Sequence, residues 1–186
     1  MELLALILIP LLAGAVLLFA RPEKAARGIA LVSTLLSLAL LLWLWYTWTG
    51  TAVTGISHDW VPAWGMRFVL GYGGIGLLML ILTGVLFPFI IGTGYKQPVG
   101  DPSLVNAMLL FTQAALFGVF LAQNAFLFYI FFELSLVPIF FLLMFWGGEH
   151  KRAITVRFFL YTLLGGLALL FSIAYVTLQT PAPHSA

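Results

Sequence analysis

Apolar residues run through this chain in blocks, and the charged and small polar residues gather in the gaps between them. The blocks cover residues 3–20, 29–48, 71–94, 104–122, 125–146 and 154–178. About 20 such residues in an α-helix cross the roughly 30 Å of hydrocarbon in a bilayer, so each block predicts one transmembrane helix. The blocks are apolar on every face, whereas membrane-barrel strands alternate, which favours helices over a barrel. The expected fold is all-α: a polytopic bundle of six spans forming a single membrane domain over residues 1–186. The fourth and fifth spans nearly touch and should turn tightly at Gln123-Asn124, while residues 50–70 form the one long loop.

Composition agrees with the pattern. Of the 186 residues 63% are apolar and 8% charged, far below the roughly 25% charged residues of a soluble domain. The first block could pass for a signal peptide, but Glu2 stands where a basic region should precede it and Arg21-Pro22 follows it, so a retained span is the better reading. There is no cysteine to form disulfides or to ligate an iron-sulfur cluster. The histidines, His58, His150 and His184, all fall outside the apolar blocks, away from any intramembrane haem. The chain is therefore expected to carry no cofactor of its own. A net charge of +2 gives no reason to expect nucleic-acid binding.

The basic residues instead read as topology signals. Arg21, Lys24, Arg27, Lys96, Lys151, Arg152 and Arg157 border one side of the predicted bundle, and Arg67 alone borders the other. The crowded side should be cytoplasmic, which places both termini outside. Trp60 and Trp64 in the long loop, and Trp43, Trp45, Tyr46 and Trp48 at the outer end of the second span, suit the membrane interface.

Glu133 is the one acid deep inside a span; the others, Glu2, Glu23, Asp59, Asp101 and Glu149, lie at a terminus or in loops. A carboxylate in hydrocarbon costs several kcal/mol, on the order of 3 on insertion scales, and such residues commonly belong to proton pathways. Desolvation disfavours the charged form and a nearby cation favours it, so a movable cation could switch its protonation, as a relay requires. Tyr129, one turn earlier, could donate to it or simply pack. Pro138 leaves the Leu134 carbonyl without its helical donor, which favours a kink and a water beside the acid. Arg157, about a turn into the sixth span, reads as a snorkelling side chain or as part of a proton entry path. Asn106 and Gln113, seven apart on the fourth span, suit interhelical hydrogen bonds or, less economically, proton transfer. Gly165, Ala168 and Ser172 read as a close-packing stripe on the sixth span. Gly71, Gly73, Gly74 and Gly76 open the third span and Gly84 with Pro88 interrupts it; outside a soluble βαβ unit they are no nucleotide fingerprint and signal tight packing or bending.

The run Phe128-Tyr129-Ile130-Phe131-Phe132-Glu133-Leu134-Ser135-Leu136-Val137-Pro138 is followed by Phe145-Trp146-Gly147-Gly148-Glu149 and Arg157-Phe158-Phe159-Leu160-Tyr161-Thr162. In this order and spacing it closely resembles the subunit M family of bacterial NADH:quinone oxidoreductase, respiratory complex I, within the wider family of antiporter-like membrane proteins. The likeness runs from about residue 60 to 162; the first two spans agree only in general character. It implies that Glu133 is the family's intramembrane glutamate. It also implies a proton-translocating subunit of the bacterial inner (plasma) membrane that partners other membrane and redox subunits, electron transfer taking place elsewhere. Relatives commonly show a Gly-x-Asp-Gly-Ile-Ser pattern where this chain reads Gly71-Tyr72-Gly73-Gly74-Ile75-Gly76. They also typically have about fourteen helices in two inverted repeats, with a lysine partner beyond the sixth span. The 186 residues reach only the N-terminal part of that plan, so another chain or a continuation of this one is expected to supply the lysine. A component of a multisubunit cation/proton antiporter, or a structural module without pumping, are the rival readings.

The topology has a direct test. Single cysteines at Ala25 and His150 should stay unreactive toward an impermeant thiol reagent added to intact cells. Labelling of both from outside would reverse the assignment.

Overall fold

A computed structural model describes residues 2–21, 25–61, 66–93 and 101–179. Glu23, Lys24, Lys96, Trp64 and His184, weighed above, fall outside the described residues, and the side chains of Asp59, Trp60 and Arg67 are likewise not described. Among the described residues are six helices, α1 (Glu2–Ala20), α2 (Ala26–Thr47), α3 (Gly74–Thr93), α4 (Pro102–Leu121), α5 (Ala125–Trp146) and α6 (Lys151–Gln179), with a hairpin of β1 (Val53–Val61) and β2 (Met66–Tyr72) between α2 and α3. All six are long and apolar enough to cross a membrane. The protein is a polytopic helical bundle.

Local chemistry sets the helix ends. Asp101 caps α4, its carboxylate accepting from the Ser103 and Leu104 amides at 2.9 and 3.3 Å, with Pro102 at the first helical position. Asn124 caps α5 by accepting from the Phe126 amide at 2.8 Å, which confirms the tight turn expected at Gln123-Asn124. At the opposite end of the bundle, Lys151 Nζ donates to the Phe145 carbonyl at 2.7 Å and the Arg27 guanidinium donates to the Gly92 carbonyl. Both cations therefore cap a neighbouring helix's C-terminus, where unsatisfied carbonyls and the helix dipole attract them.

The long loop is where the structure departs from expectation. β1 pairs antiparallel with β2 from Val53↔Tyr72 to Val61↔Met66, with irregularities between Thr54 and Ile56 and between Asp59 and Val61. The β-branched and aromatic content of Val53, Thr54, Ile56, Phe68, Val69 and Tyr72 supports strands. The hairpin is stitched to the α4–α5 turn: Leu70 bridges Ala122, and the Gln123 amide donates to the Val69 carbonyl at 3.0 Å. Gly71 therefore lies in the last residues of β2, which ends at Tyr72, and the third helix starts at Gly74. α3 runs as one helix through Gly84 and Pro88, and the tight packing expected there is found at Gly84.

α4 is the centre of the bundle, in contact with α1, α2, α3 and α5, while α6 packs chiefly on α5. In its most apolar stretch 67% of α4 is buried, against 6% of α6. Glycines allow the close approaches. A methyl group on Gly84 would meet Leu41 Cδ1 at 2.7 Å, one on Gly14 would meet the Phe111 ring at 3.0 Å, and one on Gly118 would run into the Phe131 ring. In hydrocarbon, where burial from water drives little helix association, such close packing is a main source of stability.

Replacing Gly118 by Ala should destabilise the bundle by about 1–3 kcal/mol through overpacking. Gly28→Ala, at an exposed site with nothing within 4 Å, serves as the control. Unfolding midpoints of the purified variants in detergent check this; equal midpoints would contradict the packing.

Candidate functional site

Glu133 lies eight residues into α5, about 12 Å along the helix from its start. Its carboxylate turns toward α6. A methyl group on Gly166 would overlap Glu133 Oε1 and lie 2.9 Å from its Cδ, so the acid rests directly on the glycine backbone. Oε1 is buried and accepts no hydrogen bond among the described residues.

A second contact fixes how the two helices meet. The rings of Phe140 and Phe159 pack edge to face with centroids 5.1 Å apart. Phe140 is seven residues after Glu133, and Phe159 is seven before Gly166. The helices are thus antiparallel, and a seven-residue step returns each to the same face. On α6 that face carries the buried Thr155 and Gly166 with the half-buried Phe159, Thr162 and Ile173, flanked by the half-buried Leu163, Leu169 and Leu170, and most of the remaining described residues are exposed. Gly166 is the one position on α6 where a side-chain-free surface meets the acid.

The other candidate residues fall in different places. Tyr129 is one turn before Glu133 on the same side of α5, but it gives no hydrogen bond to the buried Glu133 Oε1. Pro138 lies within an unbroken α5 and is about 140° around the helix from Glu133. It is buried on the opposite flank, lining an apolar groove of about 390 Å³ with Leu11, Met108, Phe111 and Phe131. Arg157 is exposed. It sits nine residues before Gly166, about 13 Å along α6 and on the reverse face. The structure therefore brings Tyr129 near Glu133 and leaves Pro138 and Arg157 turned away from the carboxylate.

Gly165, Ala168 and Ser172 are exposed, and a methyl group on Gly165 would meet nothing within 4 Å. The close packing belongs to Gly166, one residue and about 100° away. Of the earlier glycines, Gly74 packs tightly, against Trp48; Gly76 is in ordinary contact with the Phe120 carbonyl, and a methyl group on Gly73 would meet nothing within 4 Å. Asn106 and Gln113 are both fully buried; Asn106 donates to the Pro102 carbonyl at 2.7 Å, within its own helix. His58 and His150 are exposed, and among the described residues no three His, Cys, Asp or Glu side chains converge as a metal site would require. Gly166 was missed in the sequence because choosing between adjacent glycines needs the α5/α6 register; the Gly-Gly pair was the available signal.

An acid with one buried carboxylate oxygen, set between two of six helices long and apolar enough to span a membrane, belongs to a polytopic membrane protein. Residues 122–182, which contain that helix pair, match the transmembrane domain described as NADH:quinone oxidoreductase/Mrp antiporter. The chain is 33% identical over 185 residues to F(420)H(2) dehydrogenase subunit M of Methanosarcina mazei, covering 96% of this chain and 37% of that protein. It is 34% identical over 164 residues to NADH-quinone oxidoreductase subunit M of Escherichia coli K12, covering 81% of this chain and 32% of that protein. A chain of respiratory complex I from Thermus thermophilus with bound NADH superposes with a TM-score of 0.77 at 28% identity, covering 90% of this chain and 34% of that one. The chain is homologous to subunit M of NADH-quinone oxidoreductases and to the related antiporter-like subunits. It spans about a third of the length of the curated relatives it matches.

Gly166→Ala should force the Glu133 carboxylate out of the α5/α6 seam and raise its modification by a hydrophobic carbodiimide severalfold. Gly165→Ala should leave it unchanged. Equal modification in the two variants would mean that Gly166 does not seat the acid.

Proposed function

We propose that this chain is part of the proton-translocating membrane arm of an NADH:quinone oxidoreductase in a bacterial inner membrane, with both termini outside and Glu133 as the proton-carrying group. The observation that carries the proposal is the setting of Glu133: an acid at mid-helix, held against a glycine, in a segment homologous to antiporter-like subunits. Structural acids in membranes normally come with a hydrogen-bond donor or a cation, and Oε1 has no such partner among the described residues. A carboxyl group placed that way can take up or release a proton when a charge nearby changes.

Proton affinity at Glu133 must alternate for net transport, and an approaching cation lowers it by stabilising the carboxylate. Among the described residues the lysine of the helices is Lys151, at the far end of α6. The switching cation is accordingly assigned to another subunit or to sequence continuing from this chain. The exposed apolar face of α6, with Phe158, Leu164 and Phe171, suits packing by such neighbours as well as by lipid. Electrons would pass through other subunits, and this chain would contribute proton movement alone. The matching domain description also names the Mrp antiporter, which keeps a cation/proton antiporter component as the second reading.

Glu133→Gln keeps the size and polarity of the side chain and removes the proton. In the complex supplied with NADH and quinone, proton flux through this subunit should fall on the order of 10²-fold, as for other groups that transfer protons directly. Unchanged pumping would leave Glu133 a structural residue. Glu133-dependent flux driven by a cation gradient, without NADH, would favour the antiporter reading.

A further inference from the structure

The interior of α1 to α4 is divided into two apolar clusters. One contains Leu41, Leu44, Leu77, Leu80, Ala114 and Phe117, and the other Ala26, Ala30, Ile91, Ala107 and Leu110. On α2, α3 and α4 the buried residues between these clusters include Ser33, Thr34 and Ser37, Thr83 and Gly84, and Gln113. A polar layer therefore crosses the bundle at mid-membrane, on the side of α4 away from α6.

Backbone contacts set its members at one level. Gly76 lies against the Phe120 carbonyl, and seven residues along each antiparallel helix bring Thr83 opposite Gln113. A methyl group on Gly84 would lie 3.8 Å from Leu38 Cα, which places Ser37 of α2 beside that same level. Ser37 and Gln113 are fully buried and Thr83 is 6% exposed. Among the described residues neither the Nε2 nor the Oε1 of Gln113 has a hydrogen-bond partner.

Among the described residues the donors and acceptors of this layer do not balance. Ser37 Oγ donates to the Ser33 carbonyl at 3.0 Å, Thr83 Oγ1 to the Met79 carbonyl at 2.9 Å, and Thr34 Oγ1 to the Leu31 carbonyl at 3.0 Å. Each hydroxyl directs its proton at its own helix and offers only lone pairs to the interior. These can accept from Gln113 Nε2, but Gln113 Oε1 needs a donor, and hydrocarbon has none. A water molecule supplies two protons and accepts from others, and a buried water requires two to four polar partners.

We propose that Gln113, Thr83 and Ser37 form a site for internal water at the junction of α2, α3 and α4, a second polar centre apart from Glu133. Gly118 against Phe131 relates α4 to α5 and places Gln113 within about one turn of the depth of Glu133, so the two centres share a level.

Water-edited solid-state NMR of the full chain in lipid, in its native assembly, tests it on the wild-type protein. Magnetisation from water should reach the Gln113 side-chain amide ahead of Leu110 and Phe117, and a high-resolution map should show ordered density within hydrogen-bond distance of both Gln113 and Thr83. Thr83→Val, which keeps the volume and removes one partner of the water, should abolish that transfer. Absence of transfer in the wild type would overturn the site, as would a map in which Thr83 turns its proton to Gln113 and no density lies between.

Discussion

Hydrocarbon offers no hydrogen bonds, and the layout of this protein follows from that constraint. The membrane-crossing segments are helices because a helix satisfies its own backbone groups. Even the side-chain hydroxyls obey it: Ser37, Thr83, Thr112 and Ser135 all bond back to carbonyls of their own helix. The hairpin after α2 joins the bundle by backbone hydrogen bonds to the α4–α5 turn, at the end where the capping residue Asn124 also sits. Against this background the exceptions stand out: among the described residues, Glu133 Oε1 and both amide atoms of Gln113 are buried at mid-helix without partners, as is Ser103 Oγ near the start of α4.

Glycine decides where the helices come close. At Gly14, Gly84 and Gly118 the missing side chain admits an apolar neighbour, and the result is packing. At Gly166 it admits a carboxylate. The same structural device gives a different chemical result because of what lies opposite. On a helix as exposed as α6, a buried glycine beside an acid shields that acid from lipid on one side and leaves its other surroundings to whatever packs next.

The two polar centres lie on opposite flanks of α4 at similar depth. Glu133 faces outward toward α6, where neighbouring protein can reach it, while Gln113 faces the closed interior of α2 and α3. A group that must respond to a moving charge is better placed at an open seam than in a sealed core. Homology to antiporter-like subunits of proton-translocating complexes gives the outward-facing acid its place in the proposed function, and the interior layer needs only the requirement that buried polar groups be satisfied.

Hydrophobic block length alone determined the six helices, and helix-cap chemistry at Asn124 determined the turn between α4 and α5, because both depend on residues adjacent in sequence. The singular position of Glu133 was equally plain, since an acid within an apolar run needs no structure to be noticed. The strands 53–61 and 66–72 were hidden because their apolar end merges with the third block and their pairing is nonlocal. Only the tertiary structure chose Gly166 over Gly165, turned Pro138 and Arg157 away from the carboxylate, and set Thr83 level with Gln113. Each of those outcomes rests on the rotation and register of one helix against another. A uniformly apolar helix carries almost no periodic signal for either, because its sequence looks alike from every side.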